Sequence, residues 1–259
     1  MDQTLPLLAA ALLIGVHWIT PKLRFLSNRP RSRWLSFAGG ASIAYVFLHL
    51  LPEIAEGQET LRGSAGEHAL GGFGIWGVAL AALVGFYGIE RMVQRDAMRR
   101  TETGSEDRPG VFWLHLGSFA VYNAVTGYLL VHRIRTAEDA SAGVELAIFA
   151  MAMALHLLVT DFGLLEAFRR GYMRTGRWVL SAAVLLGWGL GAAREVPEVW
   201  LAMVVALLGG GVILNVLKEE LPRERESRFG ALVAGVAAFA ALIWGLEVGA
   251  GRIVEAAAL

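Results

Sequence analysis

The chain has no cysteine. Disulfides, thiolate metal ligands and thiol nucleophiles are thereby excluded, so any metal must be held by imidazole, carboxylate, amide or carbonyl oxygen. Charge is scarce too: charged residues make up 18% of 259, and they cancel at 23 of each sign. The basic excess of a nucleic-acid binder is missing, and nucleic acid is not an expected partner. No basic residue precedes the first apolar run and no small-residue cleavage pattern follows it, so the first helix is expected to stay. There is no G-x-S-x-G elbow, no G-x-x-x-x-G-K-[ST] loop and no H-E-x-x-H helix, and the chain is not read as an enzyme.

Apolar sequence is abundant: 56% of residues are hydrophobic and mean hydropathy is +0.53. The solvent for most of such a chain is lipid, which demands helices whose backbone groups bond internally. Eight apolar stretches of the length needed to cross a bilayer recur, at residues 5–20, 35–51, 72–90, 111–131, 144–168, 178–193, 199–217 and 229–249. Lys and Arg in the successive loops and the C-terminal tail number 5, 1, 5, 2, 4, 1, 4 and 1. High and low values alternate without a break, which supports eight spans and puts both termini on the non-cytoplasmic side of what is expected to be the plasma (inner) membrane. Residues 96–110 read as the longest cytoplasmic loop. Trp18, Trp34, Trp178 and Trp200, at span edges, read as interfacial anchors.

The second and seventh spans align at an offset of 170 residues. Gly39 and Gly40 match Gly209 and Gly210, Ile43 matches Ile213, Val46 matches Val216, and Pro52 matches Pro222. The third and eighth spans end alike, in Tyr87-Gly88-Ile89-Glu90 and Trp244-Gly245-Leu246-Glu247. Related segments that cross in opposite directions make an inverted repeat, a common construction of secondary transporters. The expected fold is an all-α membrane bundle of eight transmembrane helices, one domain over 1–259. It divides into a three-helix repeat (1–95), a central pair (111–168) and a second, inverted three-helix repeat (178–250).

Ionisable side chains within a membrane are costly and usually face protein or water. The central pair holds His115, Ser118, Tyr122, Asn123 and Thr126, then His156, Thr160, Asp161 and Glu166. Asn123 and His156 fall near mid-membrane by residue count, while Asp161 is turned by about 140° from His156 on its helix. His49 and Glu53, four apart around Pro52, sit near the outer surface; Glu219 and Glu220 sit near the inner one.

These features together resemble the ZIP family of divalent-metal transporters. Phe37-Ala38-Gly39-Gly40 through Leu48-His49-Leu50-Leu51-Pro52-Glu53 is similar to that family's F-A-G-G...L-H-L-L-P-E segment, and Glu220-Leu221-Pro222 to the end of its seventh helix. His156 with Asp161-Phe162-Gly163 is similar to its H-E-x-P-H-E helix. The resemblance implies eight helices in a three-two-three inverted repeat and a metal site between helices four and five. Asn123, His156 and Asp161 would be its remaining ligands, with His49 and Glu53 as an outer entry site. The family's H-N-x-x-[DE]-G here reads Tyr122-Asn123-Ala124-Val125-Thr126-Gly127, and Leu157, Val159 and Thr160 stand where the fifth helix has E, P and H. The remnant is a poor zinc cage. Two readings follow: a transporter of a divalent cation of the zinc, iron or manganese class, weakly held at a degenerate site; or a ZIP-like protein that has lost metal transport and binds, regulates, supports or carries something else. The partners expected are the lipid bilayer and a metal-ion substrate, with a homodimer as a candidate assembly.

Overall fold

The computed structural model describes residues 3–23, 33–65, 73–103, 109–136, 142–217 and 228–257. The described residues are helical throughout apart from short turns and connections. The helices are α1 (Thr4–Ile19), α2 (Arg33–Tyr45), α3 (Leu51–Ala65), α4 (Gly74–Thr103), α5 (Pro109–Thr136), α6 (Ala142–Ala167), α7 (Arg169–Gly171), α8 (Arg177–Ala193), α9 (Glu198–Asn215) and α10 (Phe229–Ala257). A π-turn, Val46–Leu50, joins α2 to α3, and another, Tyr172–Gly176, joins α7 to α8. Eight rods result. Seven are long and apolar enough to cross a bilayer, and the apolar part of the eighth runs from Phe229 to Gly245.

Pro52 does not end the second rod. Proline has no N–H and its ring collides with the carbonyl four residues back. The backbone relieves this by widening one turn ahead, where the Leu51 N–H reaches back five residues to the Val46 carbonyl. The rod then runs on to Ala65, well past the expected end at 51. The loop expected over 96–110 is likewise shorter, because α4 continues to Thr103 and α5 begins at Pro109, where proline is tolerated as the first helical residue.

At the start of α4, Gly74 has φ +54°, and a Cβ there would meet the amide of Gln58. Only glycine fits. Gln58 uses that space to accept the Ile75 N–H at 2.8 Å, tying the entry of α4 to α3.

The outward surface is apolar: Leu8, Leu80, Leu186 and Trp244 are each more than 60% exposed. Large apolar side chains turned outward all round a helical bundle, with polar ones inside, are the arrangement lipid favours. Trp34, Trp178 and Trp200 are exposed in keeping with an anchoring role. Trp18 differs, since its indole N–H donates to Ser181 and its ring meets Trp178 edge-on at 4.7 Å.

Helix packing divides the rods into two groups of four. In one, α5 lies along α8, and α1 packs on α6 and α8; in the other, α2 lies along α10, α4 along α9, and α3 packs on α9. Glycines set the three closest crossings. A Cβ on Gly187 would stand 1.8 Å from the Ala124 carbonyl oxygen, one on Gly40 2.0 Å from that of Leu232, and one on Gly210 2.3 Å from that of Ala79. Backbones approach this closely only where side chains are absent. The two groups meet along a seam where α2 touches α6 and α4 touches α5.

Candidate functional site

A buried polar network ties the first group together, and its centre is a residue that the sequence reading passed over. His17, one turn from the end of α1, is fully buried. Its Nδ1 shares a hydrogen with Asp161 Oδ2 on α6 at 2.6 Å, and its Nε2 donates to Asn123 Oδ1 on α5 at 3.1 Å. The Asn123 amide nitrogen donates to the Phe119 carbonyl at 2.8 Å, which fixes its oxygen toward His17. Tyr172, in the π-turn before α8, shares its hydroxyl hydrogen between Asp161 Oδ2 (2.8 Å) and the His17 carbonyl (3.0 Å). Side chains from α5, α6 and the π-turn before α8 thus converge on His17. Next to this network, Arg177 lays its guanidinium 4.3 Å over the Trp18 ring.

Asn123 and Asp161, expected as metal ligands, are therefore together, but they hold opposite nitrogens of one histidine. His156, expected to face Asn123, is buried against a different neighbour, the ring of Tyr122, at 5.3 Å between centroids. Tyr122 in turn donates to the Met153 sulfur at 3.5 Å. Thr126 and Thr160 donate back to carbonyls of their own helices and offer no hydroxyl hydrogen across the pair.

His49 and Glu53 lie at the other end of the seam. Glu53 accepts from Arg133 of α5 at 2.6 Å. The guanidinium also lies 4.9 Å over the Phe149 ring. Tyr45, 1% exposed, faces His49 with ring centroids 5.5 Å apart and meets Phe239 edge-on. The Tyr45 hydroxyl, His49 Nε2 and Arg133 Nε are buried without a hydrogen-bond partner among the described residues. Just beyond, Arg135 pairs with Glu195 at 3.2 Å and donates to the Gly191 carbonyl. Asn123 and Arg133 are ten residues apart on α5, so the two polar centres are separated by about 15 Å along the helix.

Among the described residues no three His, Asp or Glu side chains are gathered as a metal would need. Glu166 is exposed near the end of α6, and Glu219, Glu220 and Pro222 lie outside the described residues. His17 and Arg133 were both legible as residue types. His17 is the lone ionisable side chain of the first span, and the rule that marks His156 marks it equally. An apolar limit at 131 leaves Arg133 in a loop, whereas α5 runs on to Thr136 and carries it.

Fold and surface define the class: an integral membrane protein of the α-helical type. Compared with protein-family models, with curated proteins and with solved structures, the chain matches none.

Proposed function

We propose that this protein is a ZIP-like membrane transporter whose solute passes along the seam between the two four-helix groups, and that it does not cage a divalent metal there. The repeat is supported by paired contacts. If spans one to three correspond to six to eight, and four to five, then the α2–α10 contact maps onto α4–α9, and α5–α8 onto α1–α6. Gly40 presses on Leu232 and Val236; Gly210, 170 positions later, presses on Ala79 and Leu83 with the same four-residue spacing. This registers the third and eighth spans one turn away from the match of Tyr87 with Trp244. The backbone also widens into a π-turn at Val46 and again at Val216, equivalent positions under the same offset.

The observation that carries the transport reading is the cluster of orphaned polar atoms at the Glu53 end of the seam. Tyr45, His49 and Arg133 bury polar atoms that have no partner among the described residues, at a cost of about 1–3 kcal/mol for each. Such a cost is sustained where a polar solute or water visits. Support for a metal cage is weaker. Asn123 and Asp161 are held by His17, and Glu53 is neutralised by Arg133, so three of the five expected ligands are engaged elsewhere.

Calorimetric titration of the purified chain with zinc, cadmium, manganese and iron(II), followed by vesicle uptake of the same ions, tests this directly. The expected result is no binding tighter than about 0.1 mM and no saturable uptake of these metals. A micromolar zinc site lost in His156→Ala would restore the divalent-metal reading.

A further inference from the structure

The Glu53 end of the seam presents donors with no partner among the described residues. Tyr45 is nine-tenths buried and more, and its hydroxyl, together with Arg133 Nε and His49 Nε2, has no partner among the described residues. His49 lies beside Tyr45, and Glu53, one turn further on, is bonded to Arg133, so the three groups occupy one small region. A guanidinium can only donate, and a phenol and an imidazole nitrogen can donate with it. Phe149 under Arg133 and Phe239 beside Tyr45 supply apolar walls. A cation entering here meets a guanidinium and a carboxylate that is already paired.

The chemistry fits a small oxyanion. Guanidinium matches the planar, two-oxygen geometry of a carboxylate, and the protein supplies one such group itself, Glu53, at 2.6 Å. We propose that Tyr45, His49 and Arg133 form a binding site for a small carboxylate, and that Glu53 is the built-in occupant which the ligand displaces. The Glu53 side chain is a quarter exposed, against 11% for Arg133, so it can leave toward water while the guanidinium stays. That this is the solute site of a transporter rests on the reading above; that it binds carboxylate does not.

Acetate is the probe, added to the purified protein at constant ionic strength, with thermal unfolding as the readout. Ligand that binds only the folded state raises the melting temperature in step with its concentration over Kd. Removing the internal competitor in Glu53→Gln is expected to tighten acetate binding about tenfold, and removing one donor in Tyr45→Phe to weaken it about tenfold. The proposal is overturned if acetate leaves the native chain unshifted, or if Tyr45→Phe responds to acetate as the native chain does. It is equally overturned if Glu53→Gln weakens acetate binding, or if zinc stabilises the native chain and Glu53→Gln abolishes that effect, the signature of a cation site. Should Glu53→Gln not fold, Tyr45→Phe decides alone. Loss of acetate binding says nothing about whether water and solutes reach the seam, so the two readings fail separately.

Discussion

Arg133 of α5 holds Glu53 of α3 at 2.6 Å across the boundary between the two helix groups. Breaking a pair of this kind leaves the other charge stranded. Glu53→Gln is expected to cost about 3 kcal/mol, at the low end for a broken buried pair because Glu53 is partly exposed. Replacing both, as Glu53→Gln with Arg133→Met, should recover most of the loss. Unfolding midpoints of the two single variants and the double variant in detergent check this.

The network around His17 should matter more to stability than His156 does. His17→Ala leaves Asp161 and Asn123 without their shared partner inside the bundle, an expected loss of about 3 kcal/mol. His156→Ala removes a ring packed on Tyr122 and should cost about 1–2 kcal/mol through lost packing. Equal losses for the two variants would contradict the assignment of His17 as the hub.

Neighbouring glycines of α8 should respond oppositely to alanine. At Gly187 the new Cβ would collide with the Ala124 carbonyl, whereas at Gly189 nothing lies within 4 Å. Gly187→Ala is expected to destabilise by about 1–3 kcal/mol, and Gly189→Ala to be neutral or to gain up to about 1 kcal/mol from helix propensity. Thermal unfolding of the two variants is a direct comparison.

The alternation of basic loops sets an orientation that labelling can check. Single cysteines placed at Arg29, Arg100, Arg174 and Arg225 are expected to react only from the cytoplasmic side, and one at Arg62 only from the other. Position 100 reacting from the same side as position 62 would contradict this topology.

How much of this was readable from residues alone divides by the range of the interaction. The eight apolar rods were legible because lipid imposes a length and a composition on each segment separately. The polar partnerships were not, because His17 finds Asn123 and Asp161 at separations of 106 and 144 residues, and Glu53 finds Arg133 at 80. Nothing local marks those pairings. Rod ends were misjudged where polar residues continue a helix, as at Glu53–Ala65 and at Arg133, since a hydropathy limit marks the edge of the apolar layer rather than the end of the helix. The 140° between His156 and Asp161 was legible from helix geometry, but the neighbour each one meets, Tyr122 for His156 and His17 for Asp161, was not.

The most direct test of the proposed path uses the absence of cysteine from the sequence. Tyr45→Cys, His49→Cys and Thr126→Cys, in otherwise unaltered protein in liposomes, are treated with a small, membrane-impermeant thiol reagent, beside Leu186→Cys on the lipid-facing surface. The expected result is labelling at 45 and 49, slower labelling at 126 deeper along the seam, and none at 186. Seam positions that stay as unreactive as position 186 would contradict a solute path between the two helix groups.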